Sequence, residues 1–521
     1  MKTWYAPQRA IPLLIALSFI TMLLFIGAAP LFDPDEPVYG ETAKEMILAG
    51  NWLSPRIYGE FWYDKPPMFY WLSAISYTLF GISEFTSRLP SALLGMGTAV
   101  FVYAQVRRIL SDRAAFFSAV VCTTSLGMFY IAKAAVTDIS LIFSLSAAML
   151  CLYRKKYYWG YFFCGIALLV KGPVGYGFPA LIMLLYLLLS RRFSLLKEMK
   201  IPSGILLAFL VGLPWYIAMY HYHGDPFLDT FIGFHNIDRF TSPEHPGQNS
   251  YIRYIPVLFL SLFPWTAAFI PAVFRSFSRK NKHKDFLLFL HCWTWFIFVF
   301  FSISKTQLVT YIAPMFVPAA ILIGWYLDRL LCHDWHKDRW ILGIVHLCLG
   351  LAAAAAALLY VPALPEIASD AIPLAGLMLL IALPAGYFLF AGKIEKAIGS
   401  AALAAACLSL FMTVQIAPQL APANSAYEIA RAVQVHYDDE YPLYVDKFVR
   451  PTLAFYTNIY GTEWQRPFLD HLHPSQEKAF YVMRKAGYKK ISYDVMCQMN
   501  PEFAQYKVLA DTDYYILLVN Q

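Results

Sequence analysis

The residues best suited to chemistry lie in one stretch, Leu31 to Ala74, which reads LFDPDEPVYGETAKEMILAGNWLSPRIYGEFWYDKPPMFYWLSA. It holds three neighbouring carboxylates, Asp33, Asp35 and Glu36, and an Asp64-Lys65-Pro66-Pro67 step, between apolar segments. A carboxylate can stabilise a developing positive centre or take a proton. A lysine can neutralise a phosphate, and apolar flanks can hold a hydrocarbon chain. Together these residues suit a charged group carried on a lipid. The acids also have a plain structural role. They precede Pro37 and a helix predicted over Val38 to Ala49 that stops at Gly50, where one acid serves as N-cap and another meets the helix dipole.

More polar residues interrupt the apolar pattern further on. Lys133 and Asp138 lie in AKAAVTD, Lys171 in VKGPVG, and Lys305, Gln307 and Tyr311 in SKTQLVTYIAP. His221, His223, Asp225, His235, Asp238, Arg239, Glu244 and His245 crowd the loop before Tyr254. One lysine at a helix end is ordinarily a snorkelling anchor, and FHNIDRF alone reads as a solvated loop. Several loops carrying such groups to one face are a functional signal, because ionisable groups at a membrane boundary are costly unless paired or used.

The elements that position these residues follow from composition. Over 521 residues, 59% are hydrophobic and 14% charged, with a mean hydropathy of +0.51. A water-soluble fold cannot hide that much apolar surface, so the chain reads as an α-helical polytopic membrane protein. The net charge of +7 falls in short clusters between apolar segments, which encodes topology and gives no reason to expect nucleic acid. Spans begin near Ile11, Pro90, Ala114, Ile139, Tyr158, Pro173, Ile205, Tyr254, Phe286, Leu308, Ile341, Ile372 and Ile398. That is about thirteen transmembrane helices, judged against the roughly 20 residues a crossing needs.

Basic clusters follow every second span: Arg107 to Arg113, Arg154 to Lys156, Arg191 to Lys200, Arg275 to Lys284, Arg329 to Arg339, and Lys393 with Lys396. This puts the N-terminus in the cytoplasm and the C-terminus on the other side. The Ile11 to Ala29 segment resembles a signal peptide, but cleavage would break that parity, so it is expected to stay as a helix. Seven of the eight cysteines lie in or beside spans, and no disulfide framework or CxxC metal site is expected. The alanine run Ala352 to Ala357 suits close helix packing.

Domain boundaries follow the composition. Residues 1–416 form the membrane domain, with a first outer loop at 30–89 containing amphipathic helices and another outer loop at 223–253. Residues 417–521 read as a small α/β domain on the same outer side. In it, Ser425 and Glu428 form a capping box before a helix through Val435, Leu443 to Val445 is a buried strand, Pro451 to Tyr460 a helix and Tyr514 to Val519 a terminal strand. Tyr437, Tyr456, His471 and His473 are expected to be packing and surface residues.

Six motifs in order, DPDEPVYGETAKEM, GNWLSPRIYGEFWYDKPPMFYWL, FGISEFTSRLPSAL, VKGPVGYGFP, FHNIDRF and FSISKTQLVTYIAP, closely resemble the bacterial aminoarabinose transferase family. These enzymes are relatives of protein O-mannosyltransferases and have the GT-C fold. The resemblance covers about residues 10–330. It implies a glycosyltransferase of the bacterial inner membrane that takes a sugar, 4-amino-4-deoxy-L-arabinose in the founding members, from a polyprenyl (undecaprenyl) phosphate. The acceptor would be a lipid A phosphate at the periplasmic face.

By position, the resemblance makes Asp35, with Glu36 beside it, the acid of the first loop and Asp138 a second active-site acid. Lys65 and Arg239 would hold the donor phosphate, and Tyr63, Lys133, Lys171, Lys305 and Tyr311 would line the cavity. Asp64 and His235 would lie near a divalent metal ion. Asp64 stands where the family usually has glutamate, so its carboxylate is on a shorter arm. A protein O-mannosyltransferase or another polyprenyl-phosphate-sugar transferase is the alternative. A lipid or sugar transporter is a more distant one, since polar residues near a membrane boundary also mark substrate paths.

Overall fold

The computed structural model describes residues 4–231, 233, 250–278, 281–332, 335–463, 478–485, 493–499 and 501–520. The chain divides into two compact units. One comprises Met1–Ile26, Tyr63–Phe69 and Arg88–Met412, and the other Gly27–Trp62, Tyr70–Ser87 and Thr413–Gln521.

The first unit is helical. Among the described residues, eight helices are long and apolar enough to cross a membrane: Glu84–Val106, Pro173–Ser190, Ile201–His223, Lys284–Ile303, Val309–Cys332, His336–Ala363, Pro365–Phe390 and Ile394–Asn424. Two bent pairs, Asp112–Thr124 with Leu126–Ala132 and Tyr254–Ser261 with Thr266–Ser276, bring the number to as many as ten. The remaining predicted spans fall on the shorter helices Pro7–Leu23, Asp138–Tyr153 and Tyr157–Lys171. The chain is thus a multi-pass membrane protein.

Residue spacing decides which side of each helix faces inward. Lys284–Ile303 is buried nearly all round from Phe286 to Thr294, and only in its last turns does it show one inward side, with Ile297 and Phe301 buried while Val299 and Ile303 stay exposed. In Ile201–His223 the inward row is Gly204, Ala208 and Gly212. A Cβ on Gly204 would lie 2.0 Å from the Tyr161 ring, and one on Gly165 2.7 Å from the Ala208 carbonyl oxygen. Without lipid-excluding pressure between helices, such close approach is what holds spans together. The alanine run behaves differently from its expectation. Only Ala354 in it is buried, and the close approach falls at Gly350, whose Cβ would meet that of Ala382 at 2.3 Å.

The bent pairs bend 61° and 105° and meet at their breaks. The Leu126 N–H donates to the Phe263 carbonyl at 3.0 Å, and Trp265 Nε1 donates to Thr124 Oγ1 at 2.9 Å. The backbone groups freed at the two breaks thus satisfy each other in the first bond, and a side-chain bond adds to it, as an apolar solvent requires. At the opposite ends of the helices, ion pairs join the loops that carry the basic clusters: Arg113 with Asp328, Lys155 with Glu198, Arg192 with Asp285, and Arg275 with Asp338. These loops consequently share one face of the unit.

The second unit contains a five-stranded sheet ordered Thr462–Glu463, Leu443–Val445, Phe480–Arg484, Tyr515–Val519, Lys507–Asp511. The first three strands are parallel and the last two join antiparallel. Alternation along the strands sends Phe480, Val482 and Leu517 into one core with Ile429, Val433 and Leu453, and Tyr481, Ile516 and Leu518 into another. Helices run from Tyr427 to His436 and from Arg450 to Thr457. The same unit holds the first-loop helix, Asp35–Leu48, which packs on Arg450–Thr457.

Two local expectations are corrected. The first-loop helix starts three residues earlier than predicted, so Asp35 and Glu36 lie in its first turn, and neither Asp33 nor Asp35 caps it. The helix Tyr427–His436 has no Ser425 cap. The donor beside its start, the Ala426 N–H, goes to Asp33 Oδ2 at 2.7 Å. A carboxylate remote in sequence thus serves the N–H at the N-cap itself, a different donor from the one a capping hydroxyl would take.

Candidate active site

In the membrane unit, Asp138 is the first residue of its helix and Lys171 the last of its own, each at the end where the helix dipole favours its charge. Lys171 Nζ donates to Asp138 Oδ1 at 2.5 Å, with the side chains 17% and 13% exposed. The same ammonium lies 5.1 Å from the centre of the Tyr311 ring. Three separate predictions thus meet as a carboxylate, an ammonium and an aromatic face. Gly172 makes the turn after Lys171 at φ +67°, and a Cβ there would lie 2.9 Å from the Phe231 ring. Only glycine suits that conformation beside that ring.

The Asp64-Lys65 step leads into a segment that packs on the same two helices. Met68, three residues on, packs with Leu141, one turn along the Asp138 helix, and with Val170, beside Lys171. Lys65 Nζ donates to Asp64 Oδ1 at 2.7 Å, both side chains being largely buried. Tyr63 packs its ring 5.4 Å from His223 and 5.6 Å from Phe227. Phe227 stacks on Phe231, which continues to Tyr216 and, through its hydroxyl, to the Leu168 carbonyl. Aromatic packing therefore links the start of the step to the turn after Lys171.

Other predicted cavity residues are placed differently. Lys133 Nζ donates to the Leu24 carbonyl at 2.7 Å, and Arg88 donates to the Ile26 carbonyl at 2.8 Å. Both cations close the exit of the first helix, where carbonyls lose their helical partners. Lys305 is exposed, whereas its neighbour Gln307 is buried and donates to the Ser302 and Ser304 carbonyls. His235 and Arg239, with Asp238, Glu244 and His245, lie outside the described residues. Asp64 spends an oxygen on Lys65, and no group of three His, Cys, Asp or Glu able to hold a metal occurs among the described residues. The described residues as placed do not form a cation site.

In the second unit the three acids of the first loop separate. Asp35 is exposed in the first turn of its helix. Glu36 is buried and accepts the Phe32 N–H at 2.8 Å, closing the turn before it. Asp33 accepts from Ala426 N–H and from the Thr452 hydroxyl. Burial pushes its carboxyl up to about 7, against the pull of those two bonds and of Arg484.

Sequence reasoning overlooked Glu41 and Lys44. Lys44 Nζ donates to Glu41 Oε2 at 2.8 Å and to the carbonyls of Ala454 and Phe455 at 2.8 and 2.9 Å. Burial raises the Glu41 carboxyl to about 7, although Lys44 lowers it. The only signal was a Glu–Lys spacing of three in ETAKEM, which usually marks a solvated helix face.

Comparison with known proteins fits this arrangement. A family model described as dolichyl-phosphate-mannose-protein mannosyltransferase matches residues 64–217, from the Asp64 step past Asp138 and Lys171. The undecaprenyl phosphate-alpha-4-amino-4-deoxy-L-arabinose arabinosyl transferase 2 of Proteus mirabilis is 28% identical over 360 residues, 67% of this chain and 65% of that protein. The chain thus spans just under two thirds of the length of this curated relative. The crystal structure of ArnT from Cupriavidus metallidurans bound to undecaprenyl phosphate superposes with a TM-score of 0.81 at 23% identity, covering 99% of both chains. The oligosaccharyltransferase of Archaeoglobus fulgidus aligns at a TM-score of 0.54 and 12% identity, over 90% of this chain and 66% of that one. The resemblance read from six motifs is borne out: the chain is similar in sequence to the aminoarabinose transferases and has the GT-C fold of ArnT.

Proposed function

We propose that the chain is a glycosyltransferase that moves 4-amino-4-deoxy-L-arabinose from undecaprenyl phosphate to a phosphate of lipid A, at the periplasmic face of the bacterial inner membrane. One observation carries the reading: the Asp138–Lys171 pair under Tyr311, with Met68, three residues after Lys65, packed on the two helices that carry it. It combines a cation for a phosphate with a carboxylate for a sugar, in a chain whose fold matches that of a transferase solved with undecaprenyl phosphate.

In the reaction, the bond from the sugar's anomeric carbon to the carrier phosphate breaks and its electron pair goes to the phosphate oxygen. An oxygen of the acceptor then forms the new bond. Lys65 and Arg239 stabilise the departing phosphate by charge-assisted hydrogen bonds. Asp35 and Asp138 offset positive charge developing on the sugar. An acceptor phosphate is already anionic and needs no base; a hydroxyl acceptor would need Asp35 to take its proton.

The mannosyltransferase description of the family model favours a second reading, in which the donor is a polyprenyl-phosphate hexose. Purified protein given lipid A and either undecaprenyl-phosphate aminoarabinose or polyprenyl-phosphate mannose separates the two. Lipid A that gains a pentosamine supports the first reading. Consumption of the mannose donor alone supports the second, and consumption of neither sinks both.

A further inference from the structure

The three acids of the first loop look equivalent in sequence, yet the structure gives one of them a different task. Asp33 is tied to two separate segments of the C-terminal domain. Its N–H donates to the Asn424 carbonyl at 2.8 Å. One carboxylate oxygen accepts the Ala426 N–H at 2.7 Å, and the other accepts the Thr452 hydroxyl. Two residues earlier, the Leu31 N–H donates to the Tyr456 hydroxyl at 3.0 Å, and that hydroxyl donates to Glu84. Along the helix, Lys44 holds the Ala454 and Phe455 carbonyls at the end of the same Arg450–Thr457 helix.

We infer that the C-terminal domain sets the position of the first-loop helix through Asp33, which makes Asp33 a positioning residue for Asp35. The inference rests on the reading of Asp35 as a reacting carboxylate. Asp35 follows Asp33 by two residues, a reach of at most about 7 Å, and Pro34 between them and Pro37 beyond restrict the backbone. A shift of Asp33 is therefore passed to Asp35 almost undamped. An error of about 1 Å in a reacting group costs about 100-fold in rate. The groups facing the Asp33 carboxylate are Thr452, the Ala426 N–H, Arg484, Asp446 and Tyr515. Arg484 belongs to the sheet and supplies the one cation of this set, so Asp33 also senses the packing of the sheet behind the two helices.

The test uses the full-length protein in lipid nanodiscs, with undecaprenyl-phosphate aminoarabinose as donor and lipid A as acceptor. Asp33→Ala should lower kcat about tenfold or more with the donor KM within about twofold of wild type. Asp33→Asn, which keeps an acceptor for the Ala426 N–H, should recover most of that rate, whereas Asp33→Leu, which fills similar space without an acceptor, should not, and equal rescue by both would reduce the role of Asp33 to packing and overturn the proposal. A folded Asp33→Ala protein with wild-type kcat overturns the proposal. Should that variant not fold, Thr452→Val removes one of the two side-chain bonds, and a kcat unchanged in it overturns the proposal equally.

Amide exchange over Asp35–Leu48 is read in parallel and should quicken in Asp33→Ala. If Asp35→Asn keeps the wild-type rate, the reading of Asp35 falls and the positioning role falls with it. If Asp35→Asn is inactive while Asp33→Ala changes neither rate nor exchange, only the positioning role is wrong.

Discussion

Removing the Lys44 ammonium is the sharpest test of how the first loop is held. Its side chain is 5% exposed and that of Glu41 0%, so the pair lies out of water. Lys44→Met keeps the length and apolar stem but leaves a buried carboxylate without its cation and takes one donor from each of two helix-terminal carbonyls, of which Ala454 keeps the Asn458 N–H. Breaking such a pair from one side costs about 3–5 kcal/mol. The carboxylate can escape part of that cost by protonating, because its folded-state value already lies at about 7. With a raised folded value, the neutral acid favours the folded state. Its contribution is full below the unfolded value near 4.5 and fades as pH rises towards about 7. The loss in Lys44→Met should therefore be greater at pH 8, at about 3 kcal/mol or more, than at pH 6, where protonation leaves mainly the lost Phe455 carbonyl bond at about 1 kcal/mol.

Hydrogen exchange of the Arg450–Thr457 amides reads this directly. An opening cheaper by about 3 kcal/mol should speed exchange about 100-fold at pH 8, after correction for intrinsic rates, and less at pH 6. Adding Glu41→Gln should restore part of the protection, since the stranded charge is gone. An effect below about threefold at both pH values, or the same effect at both, would refute the buried-pair argument.

Other consequences follow from the same geometry. Lys171→Met should cut transfer about 100-fold or more at normal abundance, because it strands Asp138 and removes a cation from Tyr311; a variant keeping half the wild-type rate would remove this pair from the reaction. Gly172→Ala should lower thermal stability by about 1–3 kcal/mol, the cost of a side chain at φ +67° beside Phe231, and an unchanged melting curve would count against it. Asp33→Asn should flatten the pH dependence of stability: wild type loses stability as pH rises from about 4 to about 7, and an equally steep loss in the Asn variant would locate the titration elsewhere. A reporter active only in the periplasm, fused after Gln521, should be active, and one inserted between Arg275 and Lys284 should be silent; the reverse pattern would put the Asp138–Lys171 pair on the cytoplasmic side.

Much of the membrane unit was legible because apolar length is a strong signal and each span states it alone. The starts of the spans and the gathering of Asp138, Lys171 and Tyr311 rest on short-range patterns or on one topological count, whereas the small-residue row of Gly204, Ala208 and Gly212 and the ion pair itself came only with the structure. The roles of Lys133 and Lys44 were not legible. Both are spent on backbone carbonyls of segments far away in sequence, Leu24 for one and Ala454 and Phe455 for the other. A carbonyl has no side-chain signature, so nothing in the sequence marks it as a partner. The capping box failed for a related reason. Ser425 and Glu428 have the right local spacing, but a carboxylate from position 33 reaches the neighbouring N–H.

Charge counting ties the proposed clamp together. Lys65 with Asp64, and Lys171 with Asp138, are each a neutral pair at a membrane boundary, which is how four ionised groups are kept there at tolerable cost. A carrier phosphodiester brings a further negative charge to the Lys65 pair, and the lysine cannot offset both it and Asp64. One more cation is needed before the phosphate is held, and a second negative charge develops as the sugar departs. Arg239, with its forked guanidinium, is the residue the motif order offers for that task. On this count the lysine sets where the phosphate sits and the arginine carries the increase in charge during transfer. Binding of the donor should then depend on both, and the chemical step more on Arg239.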